Sequence, residues 1–157
     1  MDAIALLKSD HRTVNELFER LEEQSDTAHA TRGKLFEQIK QALTVHAQIE
    51  ERIFYPAFQS RTKQNTEEGD EVLEAFEEHA NVEAMLDKLS KLPPTDPTYN
   101  AKLQVLMELV KHHVREEETQ LFKFARELFE QSELDELGRE LAAAKERLGA
   151  PQPATSR

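Results

Sequence analysis

Apolar residues return every three to four positions through four long stretches of the chain, residues 3–24, 27–60, 70–91 and 98–130. That is the period of an amphipathic helix, and each stretch yields one inward stripe. The first stripe is Leu7, His11, Val14, Phe18 and Leu21, and the second is Leu35, Ile39, Leu43, His46, Glu50, Ile53 and Ala57. The third is Val72, Phe76, His79, Val82, Leu86 and Leu89, and the fourth Leu106, Val110, His113, Glu117, Leu121, Phe124 and Leu128. Two breaks, 61-RTKQNTEEGD-70 and 92-LPPTDPT-98, and a weaker one near 25-SDTAHAT-31 separate the stretches. Glycine, proline and clustered polar residues mark them as loops. A short fifth helix is expected after Ser132, an N-cap ahead of Glu133 and Asp135, and should end at Gly149 before Pro151.

This pattern predicts an all-α protein. Residues 1–130 should form an antiparallel up-down-up-down four-helix bundle, 131–149 a C-terminal helix packed on or trailing it, and 150–157 a disordered tail.

Four histidines and two glutamates interrupt the apolar stripes. In a helix, residues i and i+4 share a face about 5–6 Å apart, so H-x-x-x-E can point both groups at one centre. Alone, the spacing is ordinary surface usage. His46 and Glu50, however, replace apolar residues in the middle of an inward seam, and burying an unpaired carboxylate costs several kcal/mol. The chain does it twice: His46 to His113 and Glu50 to Glu117 are both offsets of 67 residues, and His11 to His79 is 68. DHRTVNELFERL and EHANVEAMLDKL are the matching flanks. Two similar helix pairs about a pseudo-twofold axis would bring His11, His46, Glu50, His79, His113 and Glu117 to one level. The neighbouring pair His112 and Glu116 runs into Thr119, Gln120 and Lys123, a polar stripe, which leaves His112 on the flank. His29 is expected in a solvated loop.

Composition then narrows the chemistry. Of 157 residues 31 are acidic and 20 basic, a net charge of −11, without a Lys or Arg block that would track nucleic acid or an anionic membrane. No stretch has the length of a membrane span, so a cytoplasmic protein, monomeric or weakly self-associating, is expected. Cysteine is absent, so a metal must be held by nitrogen and oxygen, a donor set that suits Fe, Mn or Zn. Four imidazoles and two carboxylates are too many for one tetrahedral zinc and about right for two ions bridged by the carboxylates. Such a count leaves room for a bridging oxo or hydroxo group and an exogenous ligand. Tyr55 and Phe122, five residues after Glu50 and Glu117, either wall off water or serve as ordinary core aromatics.

DH at His11, HAQIEERIFYP from His46, EH at His79 and HVREEETQLF from His113, in that order over residues 3–130, resemble the haemerythrin-like (HHE cation-binding) domain family. The resemblance implies a non-haem di-iron centre in a four-helix bundle, with the four histidines as terminal ligands and Glu50 and Glu117 as bridges. It implies a protein that binds or senses dioxygen or a related small molecule. The alternatives are an enzyme that decomposes hydrogen peroxide or handles nitric oxide and, further off, iron storage or a metal-free interaction bundle. Oxygen-carrying haemerythrins have another histidine one turn after the third-helix one. Here that place is Glu83, an extra ligand or a helix flank.

Overall fold

The Asp2 carboxylate accepts the Ala5 amide at 2.8 Å and starts helix α1, Ala3–Glu23, satisfying a donor that a helix N-terminus otherwise leaves unpaired. Helix α2, His29–Ile49, passes into a π-helical turn, π1, Glu50–Phe54, and on into α3, Tyr55–Gln59. Helix α4 is Glu67–Ser90, capped by the Thr66 hydroxyl, which accepts the Gly69 amide. Helix α5, Tyr99–Glu116, repeats the earlier arrangement with π2, Glu117–Leu121, and α6, Phe122–Leu128. Helix α7 is Gln131–Arg147. The computed structural model describes residues 1–149, and every regular element among them is helical.

Rods α1, α2-π1-α3, α4 and α5-π2-α6 form the four-helix bundle that the periodicity predicts. α1 lies along α2 and α4 along α5, and α7 lies across α1, α2 and π1. Two apolar clusters fill the interior. One is aromatic, with Phe54, Tyr55, Phe58 and Phe122 fully buried, and α7 closes over it through Leu134, Leu137 and Leu141. The other is largely aliphatic, including Val14, Leu21, Ile39, Leu86, Leu106 and Val110. Between them lies a polar layer.

The π turns change which residues face inward. Across π1 the Tyr55 amide bonds to the Glu50 carbonyl, and across π2 the Phe122 amide bonds to that of Glu117. Each i→i+5 bond takes one more residue into the turn, so the stripe moves on by one position, about 100° around the axis. Ile53 and Ala57, expected inside, are therefore half-buried, and Phe54, Tyr55 and Phe58 take their places. In the second half Leu121 stays buried, while Phe124 and Leu128 yield to Phe122, Ala125 and Phe129. Pro56, which lacks an amide hydrogen and crowds the carbonyl four residues back, is the second residue past π1, in the first turn of α3.

Three boundaries also differ from expectation. His29 opens α2 and is half-buried, not in a solvated loop, because the helix begins without a capping side chain to mark it. Thr66 starts α4 within the stretch expected to be loop. α7 begins ahead of Ser132: Glu130 caps it, with a reciprocal bond between the Glu133 carboxylate and the Glu130 amide at 2.8 Å. The expected tail, 150–157, lies outside the described residues.

Gly138 is the point of closest approach between α7 and the start of the chain. A Cβ there would stand 2.3 Å from the Met1 carbonyl oxygen and 2.8 Å from the Asp2 carbonyl carbon. Backbone cannot swing aside as a side chain can. Gly138→Ala is expected to lift α7 from α1 and lower stability by ~1–3 kcal/mol, measured as a fall in the urea midpoint, whereas Ala142→Gly at an exposed position of the same helix costs at most about 1 kcal/mol.

Candidate metal centre

His46 and His113 each stand one turn before a π turn, on the buried faces of α2 and α5, and Glu50 and Glu117 open the turns themselves. His11 on α1 and His79 on α4 face them. All six are buried, Glu50 at 0% and Glu117 at 2% exposure. Their ligand atoms form two overlapping groups, His11 with His46, Glu50 and Glu117, and His79 with His113 and Glu50, each with atoms within 4.8 Å of one another. The structure thus brings together all six residues singled out from the sequence, with Glu50 shared between the groups.

The separations are those of donors around an ion. Bonds of ~2.1 Å place neighbouring donors on one tetrahedral or octahedral ion ~3.0–3.4 Å apart. His79 Nε2 lies 3.2 Å from His113 Nε2 and 3.0 Å from Glu50 Oε1. His11 Nε2 is 3.0 Å from Glu117 Oε1, and His46 Nε2 is 3.3 Å from Glu50 Oε1. Among the described residues, His11 Nε2, His46 Nε2, Glu50 Oε2 and Glu117 Oε1 are buried without a hydrogen-bond partner. Unsatisfied buried polar atoms are costly, and here they converge on one place. A cation fits that donor set.

The outer ring nitrogens explain why the inner ones point inward. His11 Nδ1 lies 2.6 Å from Glu118, His46 Nδ1 2.8 Å from Asp10, His79 Nδ1 2.7 Å from Glu51 and His113 Nδ1 2.7 Å from Glu78. A carboxylate accepts only from a protonated nitrogen, so each contact fixes a proton on Nδ1 and aims Nε2 at the centre. The repeat extends to these partners: Asp10 and Glu78 immediately precede His11 and His79, and Glu51 and Glu118 immediately follow Glu50 and Glu117. Glu51 holds His79 although its side chain is 40% exposed. His112 is exposed beside Glu78, as its stripe predicts, and Glu83 is exposed and belongs to neither group.

Tyr55 is the polar residue whose role its sequence position left open. Its hydroxyl donates to Glu117 Oε2 at 2.5 Å and lies 3.2 Å from both Glu50 Oε1 and His79 Nε2. Burial, reinforced by the two carboxylates, holds its pKa well above the usual phenol value, so it stays a proton donor. The corresponding residue Phe122 stacks on His11 with ring centres 6.0 Å apart. On the opposite side, a cavity of about 290 Å³ reaches the four imidazoles between aliphatic walls that include Leu43, Val82, Leu86 and Val110, and its rim carries Lys40, Thr44, Glu83 and Asp87.

Comparison with known proteins agrees with this geometry. The model of the Hemerythrin HHE cation binding domain matches residues 2–125. A DNA nickase of Nostoc sp. is 29% identical over 91% of this chain, which spans only 39% of that protein. The uncharacterized protein Rv2633c of Mycobacterium tuberculosis is 27% identical over 96% of this chain and 90% of its own length. The crystal structure of an HHE cation-binding-domain protein, the Rv2633c homologue from Mycobacterium kansasii, superposes with a TM-score of 0.81 at 26% identity, covering 94% of this chain and 87% of that one.

The carboxylates also hold protons in the layer. Burial opposes charge on His113, but Glu117 and Glu50, with the hydrogen bonds to Glu50 and Glu78, overcome it and push its pKa up to about 10. Burial likewise opposes charge on His46, and Glu50 and Asp10 raise it well above the usual value. A pKa raised on folding gives stability that is complete below the unfolded value of about 6.5 and lost as pH rises through the folded one. Chelator-treated protein is therefore expected to lose urea resistance between pH 7 and 10. Metal-loaded protein, in which an ion replaces the protons, should hold a nearly constant midpoint over that range, and proton release on loading should be measurable calorimetrically in two buffers.

Proposed function

The chain belongs to the hemerythrin HHE cation-binding domain family, and on that premise we propose that it is a non-haem di-iron protein that binds or senses dioxygen or a related small molecule. One observation carries the reading: six buried donors form two groups that share Glu50, each with donors spaced as around one ion. His11 and His46 would be terminal ligands of one ion, His79 and His113 of the other, with Glu50 and Glu117 between them. Manganese or zinc could take the same donors, since imidazole and carboxylate do not discriminate strongly among these ions. A bound iron pair would supply open coordination positions and reversible electron transfer.

The residues around the site suit a small uncharged ligand. Aliphatic walls along the cavity favour an apolar or weakly polar molecule, and its rim sets Lys40 against Glu83 and Asp87, without an excess of positive charge to draw in an anion. The Phe54, Phe58 and Phe122 side closes the layer against water from the other end. Tyr55 places one hydrogen-bond donor at the His79–His113 side.

Tyr55 also favours a second reading, decomposition of hydrogen peroxide, in which a buried phenol holds or passes a proton at its hydroxyl oxygen. The nicking activity of the Nostoc relative is not carried over: the shared stretch is a minor part of that protein, and this chain carries a net charge of −11.

Iron-replete protein purified without a histidine tag is expected to contain about two metal ions per chain, the count its donor groups imply, and anaerobic ferrous protein should develop a new visible absorption on titration with oxygen. A spectrum that stays featureless with two irons bound would end the binding reading. Tyr55→Phe is expected to keep both metals; if peroxide is the substrate, turnover should fall about 10²-fold, the range for loss of a positioned proton donor. Unchanged turnover would remove Tyr55 from that chemistry.

A further inference from the structure

The four carboxylates that orient the imidazoles are not equivalent. Glu118, Glu51 and Glu78 have side-chain exposures of 33%, 40% and 22%, so water shares their charge. Asp10, at 8%, is nearly sealed. It also has a cationic partner, Lys145 of α7, whose Nζ donates to Asp10 Oδ1 at 2.5 Å while Asp10 Oδ2 accepts from His46 Nδ1 at 2.8 Å. An aspartate is one methylene shorter than the glutamate at the corresponding position in the repeat, Glu78, and cannot turn out to solvent in the same way. Lys145 is 30% exposed at its side chain, which lays its stem along the protein and brings its ammonium inward. It lies beyond residues 2–125, the stretch that matches the family model.

We propose that Lys145 is a positioning residue for the metal centre: through Asp10 it fixes the orientation of His46, so that α7 supports the half-site formed by His11 and His46 from outside its ligands. The inference rests on the reading of this layer as a metal site. With one oxygen unpaired, the nearly sealed Asp10 carboxylate would be free to turn away from Nδ1. Lys145 prevents this by bonding the second oxygen, which fixes the plane of the carboxylate against His46. In the other half-site the corresponding tie is looser: Glu78 Oε2 meets His112 Nε2 at 3.2 Å, and that imidazole is 57% exposed, so water competes for the contact. The two metal positions then respond differently to loss of the Lys145–Asp10 contact.

The test uses the full chain and four variants. Lys145→Met removes the charge, Lys145→Arg restores it, Lys145→Gln replaces Lys145→Met if that variant folds poorly, and Leu134→Ala loosens the far end of α7 from the core without touching Lys145. Anaerobic titration with ferrous iron is expected to show one of two affinities weakened by about 10–100-fold in Lys145→Met, the usual effect of losing such an orienting partner. Lys145→Arg should recover most of it, and Leu134→Ala should lower thermal stability while leaving both affinities near wild type. Nitrogen-15 spectra of the metal-free protein give an independent reading: the ring signals of His46 should change in Lys145→Met and those of His79 and His113 should not. Two wild-type affinities with an unchanged His46 spectrum in Lys145→Met would overturn the proposal, as would equal losses in Lys145→Met and Leu134→Ala. If the wild-type chain binds no metal pair, the reading of the site fails, and the His46 spectrum alone decides the role of Lys145.

Discussion

Two fully buried carboxylates facing each other across a helical bundle are the constraint on which the rest of the structure depends. Glu50 and Glu117 have no surface to retreat to, and their charge must be met inside. Four imidazoles meet it, and four further carboxylates around the outside orient those imidazoles. The bundle is organised as a polar plane between two apolar blocks. Each block has its own consequence: the aromatic one is dense and closed by α7, and the aliphatic one leaves a cavity that leads to the imidazoles. Closure and access are properties of opposite ends of one core.

The pseudo-twofold arrangement is kept where charge must be balanced and broken where the two halves differ in chemistry. The pairing of each histidine with a carboxylate is the same in both halves. Tyr55 stands opposite Phe122, which gives one half a hydroxyl and the other a stacked ring. Asp10 stands opposite Glu78, which gives one half a buried ion pair and the other a solvated partner. The asymmetry lies just outside the six donors, in residues that alter protonation and orientation without altering the ligand set.

The fold class and the six inward donors could be read from the sequence because both depend on local periodicity and on the cost of burial, which are visible one helix at a time. Exact facing beyond Glu50 and Glu117 could not be read, because a 3.6-residue period was carried through turns that do not obey it. Pro56 was a local sign of π1; no proline marks π2, but the constant offset of 67 residues carries the correction from Phe54, Tyr55 and Phe58 to Leu121, Phe122 and Ala125. The orienting carboxylates had a sign too, in the doublets Asp10–His11, Glu78–His79, Glu50–Glu51 and Glu117–Glu118. Lys145 had none, since its contact with Asp10 spans most of the chain and depends on how α7 lies across α1.

The two π turns also give both halves one frame of reference. Each is a surplus residue in an otherwise regular helix, and both fall at the same place relative to their histidine and glutamate, with the offset unbroken on either side. Residues at matching positions past the turns therefore meet the layer from matching directions, and an exchange such as Tyr55 for Phe122 changes what is presented there without changing where. A cage built this way can be given a left and a right by side chains alone, with its backbone left even-handed.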